Sequence, residues 1–286
     1  VLLVATVVPI AVAIDQFFAN TGNHDTPGLN RIYGTFSHPA AFSMFLAQIL
    51  PLAFVMFLHS RSRVGRVALF ILIPAILFSI YEAQTRGAWV GVAVSIVIFM
   101  GTRARWSLLL VPLMMGAFYF GVPSIRARFD AATSSSGSVV WRQEQWSNAV
   151  SATTPVHLAT IGAGFDAVSV RTGNLTHNEY IRLLVETGLA GLITMFVLYR
   201  RLFLLALDAY RKAATPFERD LMLAFLMAFA ARVVIALSDN IIVYPVLEWY
   251  FWGFAALVVA ASGAYQPVRF GRHAPEQSAA AAQSAA

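Results

Sequence analysis

Apolar and polar positions alternate along this chain in long blocks. Eight uncharged or nearly uncharged runs, at roughly 1–18, 37–59, 67–81, 87–101, 106–122, 188–207, 221–238 and 246–262, are separated by shorter polar segments. A helix needs about 20 apolar residues to cross a bilayer, so the pattern predicts an all-α, polytopic integral membrane protein with about eight transmembrane helices, the third and fourth having soft boundaries. One polar segment is much longer than the rest. The expected organisation is helices one to five over 1–122, a large outer loop over 123–187, helices six to eight over 188–262, and a tail over 263–286.

Basic residues orient this arrangement. Arg61, Arg63 and Arg66 share one loop, Arg103 and Arg105 another, and Arg200, Arg201, Arg211, Lys212 and Arg219 surround a third, so these alternate loops are expected to be cytoplasmic. The opposite loops carry Arg31 alone, Arg86 alone, and no basic residue between Ser238 and Pro245. The 123–187 loop is therefore expected on the periplasmic or exterior side. Composition agrees: 58% of residues are hydrophobic, 12% are charged, and the mean hydropathy is +0.68. The net charge of +6 is spread over the cytoplasmic loops and forms no stripe, which argues against nucleic acid. The chain has no cysteine, so disulfides, thiolate nucleophiles and cysteine zinc sites are excluded. Val1 opens inside an apolar run with no basic leader, from which further helices are expected to precede it; the Ala-, Gln- and Ser-rich end from Ala274 predicts a disordered cytoplasmic tail.

The most informative polar run is Thr176-His177-Asn178-Glu179-Tyr180, which ends the long loop just before an apolar helix expected from about Gly188. His177 has no second histidine at metal-like spacing. A lone imidazole can instead remove a proton from a hydroxyl, a role worth roughly 10² to 10⁴ in rate. Glu179, Arg182 and Glu186 share one helical stripe, expected to be solvated or salt-bridged.

Ionisable residues near membrane depth are functional candidates. Arg232 lies inside an apolar segment, and Asp239 follows seven residues later; on a continuous helix the two share a face, either flanking an anion or locking the bundle through water. Arg86 starts a helix behind Thr85, a possible cap, with Gly87 allowing close approach; phosphate binding and interfacial anchoring beside Trp89 both fit. Arg31 precedes a segment in which Ser37 or His38 caps a helix with Pro39 in its first turn. Val140–Trp146 reads as a surface helix whose Trp141 and Trp146 stack on sugars or anchor at the interface. Gly162-Ala163-Gly164 lacks a strand and a third glycine and reads as a turn, and the Asn174-Leu175-Thr176 sequon is too short to carry weight.

Taken in order, Arg31-x-x-Gly34-x-Phe36-x-His38-Pro39, Thr85-Arg86-Gly87-Ala88-Trp89, Arg142 with Trp146, Gly162-x-Gly164, His177-Asn178-Glu179-Tyr180 and Glu186-Thr187-Gly188-Leu189-x-Gly191 resemble the O-antigen ligase and polymerase family of bacterial envelopes. The likeness extends along about two-thirds of the chain, departing at Ala40, Ala41 and Gln84. It implies a glycosyltransferase C-like, all-helical membrane enzyme. Such an enzyme moves a glycan from an undecaprenyl-pyrophosphate carrier to a hydroxyl on lipid A core, another glycan or a protein, using no metal or other cofactor. The resemblance makes His177 the general base and Arg86 the pyrophosphate ligand, with Arg31 and Arg232 sharing that task and Arg142 and Glu179 completing the substrate-binding set. A transporter or flippase of lipid-linked glycans is the alternative, in which the arginines line a path. It would call for internal repeats and paired midplane breaks, and the chain has neither.

Overall fold

The computed structural model describes residues 2–24, 29–103, 105–133 and 137–262, and no strand occurs among them. The expected tail at 263–286 lies outside the described residues. Among the described residues twelve α-helices follow in order: α1 (Val7–Ala19), α2 (Pro39–His59), α3 (Arg63–Glu82), α4 (Arg86–Arg103), α5 (Leu110–Gly121), α6 (Pro123–Thr133), α7 (Ser138–Ser151), α8 (Pro155–Ala159), α9 (Ala167–Thr172), α10 (Glu179–Lys212), α11 (Pro216–Ile235) and α12 (Pro245–Ala261). Each of the eight apolar runs is mostly helical over its described residues. By length and composition α2, α3 and α10 can each cross a membrane, and α5 with α6, bent by 89°, forms a fourth candidate span. The 123–187 segment is itself mostly helical, carrying α6 to α9.

Local chemistry starts these helices where it is strongest. His38 caps α2, its Nδ1 accepting from the Ala40 amide at 3.1 Å, with Pro39 in the first turn. Thr215 and Glu218 form a reciprocal capping box on α11 behind Pro216. Asn178 caps α10 through its side-chain oxygen, which accepts from Tyr180 at 3.0 Å and Ile181 at 3.2 Å.

The core forms around α2 and α11, both buried along most of their length, with α4 packed against α11. Gly91 lets those two helices close, since a Cβ there would lie 2.7 Å from Ile235 Cδ1. The Ser95 hydroxyl bridges the same seam, donating to Met227 O at 3.3 Å.

Helix α10 breaks at Gly188, whose φ of 65° and ψ of −172° are not helical. The break is stabilised by the turn at Gly162-Ala163-Gly164. The Ala163 and Gly164 amides donate to Val185 O (2.8 Å) and Glu186 O (3.0 Å), and the Ala190 amide donates to Thr160 O at 3.1 Å. Backbone groups released by the break are thus paired with the turn instead. Neither glycine has room for a side chain: a Cβ at Gly188 would sit 2.2 Å from Thr160 O, and one at Gly162 would sit 2.3 Å from Glu186 O. Gly188→Ala is therefore expected to cost about 3 kcal/mol or more, from a positive φ plus a backbone collision. A fall in the thermal midpoint of the detergent-solubilised protein checks this, and an unchanged midpoint refutes it.

Candidate functional site

His177 sits where the last loop before α10 meets the loop between α11 and α12. Its backbone is left-handed, with φ 48°, and its amide donates to Asn240 Oδ1 at 2.8 Å. The residues beside it are tied down. Asn240 Nδ2 donates to Thr176 Oγ1 (3.2 Å), Asn178 Nδ2 to Leu237 O (3.2 Å), and the Glu179 amide to Ala236 O (2.9 Å). Trp146 closes the other side, its Nε1 donating to Thr176 O at 2.7 Å. Thr176, Asn178, Asp239 and Asn240 are all buried, whereas the His177 side chain keeps 31% of its surface exposed.

Two groups flank the ring. Nδ1 lies 3.4 Å from Asp239 Oδ1, and the Trp141 ring packs at 5.4 Å between centroids with a 55° tilt. A carboxylate facing Nδ1 favours the tautomer with the proton there, which leaves a lone pair on Nε2.

Three of the four expected arginines gather at this end of the bundle. Arg31 donates from Nε to Ala83 O (3.1 Å) and from Nη2 to Thr85 Oγ1 (3.3 Å), bracing the turn that leads into α4. Thr85 accordingly holds Arg31 and donates to Ala83 O at 3.3 Å, a different task from the expected cap. Arg86 donates to Ser138 Oγ and so joins the start of α4 to the start of α7. Gly87 faces Ser238, whose Oγ lies 2.5 Å from where a Cβ would stand, beside Asp239. Arg142 follows Trp141 on α7, is half-buried, and has no direct hydrogen bond or ion pair among the described residues. Burial lowers its pKa, and the charge of nearby Asp239 opposes that shift.

Arg232 departs from expectation. α11 ends at Ile235, so Asp239 lies beyond the helix rather than two turns along one face, and it turns to His177. Arg232 is 1% exposed and pairs with Glu248, donates from Nε to Tyr199 Oη at 3.0 Å, and lies 4.3 Å from the Phe251 ring centre. It locks the bundle through Glu248. Glu179 is buried, with Oε1 taken by Arg182 and Oε2 accepting from the Ile242 amide at 3.2 Å. Arg182 pairs with Glu186 as well, so the expected stripe is a salt-bridged triad and not a solvated face. Asp239 and Asn240 are the residues that sequence reasoning did not connect to His177. Their signal was the polar triplet Ser238-Asp239-Asn240 closing an apolar run.

Residues 74–196 match the profile of a family described as O-antigen ligase. The chain carries an O-antigen ligase family domain. The matched stretch runs from α3 into α10 and contains Arg86, Arg142, Gly162, Gly164 and His177, while Arg31, Arg232 and Asp239 lie outside it. No curated protein matches the chain. The match supports glycosyl transfer of the ligase or polymerase type in general, in a protein with helices able to span a membrane.

Proposed function

We propose that this chain transfers a glycan from an undecaprenyl-pyrophosphate carrier to an acceptor hydroxyl at the outer face of the bacterial cytoplasmic membrane. The observation that carries this reading is His177, with Nδ1 toward Asp239, a half-exposed ring and the unpaired Arg142 close to that carboxylate. The acceptor hydroxyl on lipid A core, a glycan or a protein gives its proton to His177 Nε2 as its oxygen attacks the anomeric carbon. The bond from that carbon to the pyrophosphate breaks, and the carrier leaves as undecaprenyl pyrophosphate. Negative charge on the leaving oxygen grows during this step, and preorganised guanidinium groups stabilise it most in the transition state. Arg142, lacking a direct partner, is the guanidinium most available for that charge. Arg86 and Arg31 shape the same wall. Glu179 takes a positioning part, and Arg232 a structural one. Eight membrane crossings with 123–187 outside put these groups on the side where such a carrier presents its glycan.

Arg142→Gln is expected to lower turnover about 10²-fold, the scale on which one transition-state donor acts, with Arg142→Lys intermediate. The test replaces the chromosomal copy in the native host and follows lipid-linked donor and glycosylated product on gels at matched membrane abundance. Donor should accumulate as product falls. A size ladder of products marks polymerisation, and a single step marks ligation. Unaltered product from Arg142→Gln would remove this arginine from the mechanism.

A further inference from the structure

The far side of the bundle carries a second feature, which the transfer reaction does not use. Leu198, Arg201, Leu202 and Leu205 of α10 face Trp252, Ala255, Ala256, Val259 and Ala260 of α12 across a groove of about 550 Å³. Its walls are apolar except for one guanidinium. Arg201 and its neighbour Arg200 are exposed, and neither has a hydrogen bond or ion pair among the described residues.

Their depth makes that consequential. Arg200 stands twelve residues past the break at Gly188, about 18 Å along the axis at the usual helical rise. A hydrocarbon core is about 30 Å thick. If the break marks one interface, both arginines fall within the apolar thickness of α10, which runs on to Lys212, rather than beside the cytoplasmic loop expected for them, among exposed Phe196, Val197 and Leu198 before them and Phe203 and Leu204 after. An unpaired guanidinium in such surroundings is costly unless it reaches an anion, and lipid phosphate is the anion a bilayer supplies. Arg200 lies outside the groove and has only its own flexible stem with which to reach the interface. Arg201 lies in the groove, where an acyl chain can rest against the leucines of α10 and the small alanines of α12 while the phosphate meets the guanidinium.

We infer that the α10/α12 groove is a binding site for one anionic glycerophospholipid, held by Arg201 at its phosphate and by the apolar walls along one acyl chain. Basic pockets between membrane helices bind such headgroups, and a basic residue near an anionic lipid surface is worth about 1 kcal/mol. The test is native mass spectrometry of the full chain in detergent micelles, titrated with phosphatidylglycerol. Arg201→Gln should weaken binding roughly five-fold, which is that energy converted to an affinity ratio. Arg200→Gln should leave affinity near wild type. Ala256→Trp fills the groove, keeps Arg201, and should also weaken binding, so the outcome does not hang on one variant; glycerophosphate, which has no acyl chain, should bind poorly. Equal affinity of wild type and Arg201→Gln overturns the site. So does an equal loss from Arg200→Gln, glycerophosphate binding as well as the lipid, or a lipid-free chain that dimerises through this face.

Discussion

His177→Ala is expected to reduce glycan transfer by about 10²- to 10⁴-fold, the range for removing a positioned general base, while leaving the protein folded. The loop stays ordered because its anchors are not on the imidazole. The amide of residue 177 donates to Asn240, Trp146 holds Thr176, and Asn178 caps α10, all through atoms that alanine at 177 leaves in place. Asp239→Asn separates orientation from basicity. An amide keeps the shape but removes the charge facing Nδ1, so the histidine loses its tautomer preference and turnover falls by less than in His177→Ala. The pair of variants should be compared for turnover and for the acceptor concentration at half-maximal rate. A role in proton transfer lowers turnover with little change in that concentration, whereas a role in acceptor binding alone moves the concentration. Wild-type transfer by His177→Ala at matched membrane abundance would end the general-base assignment.

Much of this architecture is legible in local pattern. Apolar runs mark the helices, His38-Pro39 marks one of their starts, and the motifs around Arg86, Arg142 and His177 mark the candidate site. What is not legible depends on contacts between distant residues. The pairing of Arg232 with Asp239 assumed that one helix continued through both, but α11 ends at Ile235 and each residue finds its partner on another element. Periodicity describes faces within a helix and carries no information on where a neighbouring chain segment supplies a countercharge. The start of α10 illustrates the same point. Gly188 reads as a helix boundary, yet nine residues before it are helical because Asn178 caps them and the Gly162–Gly164 turn pairs with the break. The sequence leaves three charges in those residues as either a solvated or a salt-bridged stripe, and the fold settles it by burying them against one another.

That buried triad leads to the largest expected change in stability. Glu179, Arg182 and Glu186 are 2%, 5% and 4% exposed, and Arg182 is the one cation among them, donating to both carboxylates. Arg182→Leu leaves two carboxylates buried without a countercharge, and breaking such a pair costs roughly 3–5 kcal/mol. A detergent melt should show the loss as a lowered midpoint. Neutralising the whole group as Glu179→Gln, Arg182→Leu and Glu186→Gln together should recover much of it, since the penalty comes from uncompensated charge more than from lost volume. If the triple variant melts no higher than Arg182→Leu, packing rather than charge balance holds this turn of α10. The triad also bears on the candidate site, because Glu179 Oε2 receives the Ile242 amide and the Glu179 amide reaches Ala236 O, one contact on either side of Asp239. Loosening Glu179 therefore frees the loop that holds Asp239 against His177. Transfer by Arg182→Leu should fall even at a temperature where the protein remains folded, and transfer by the triple variant should recover less than its stability does, because glutamine at 179 holds the Ile242 amide more weakly than a carboxylate.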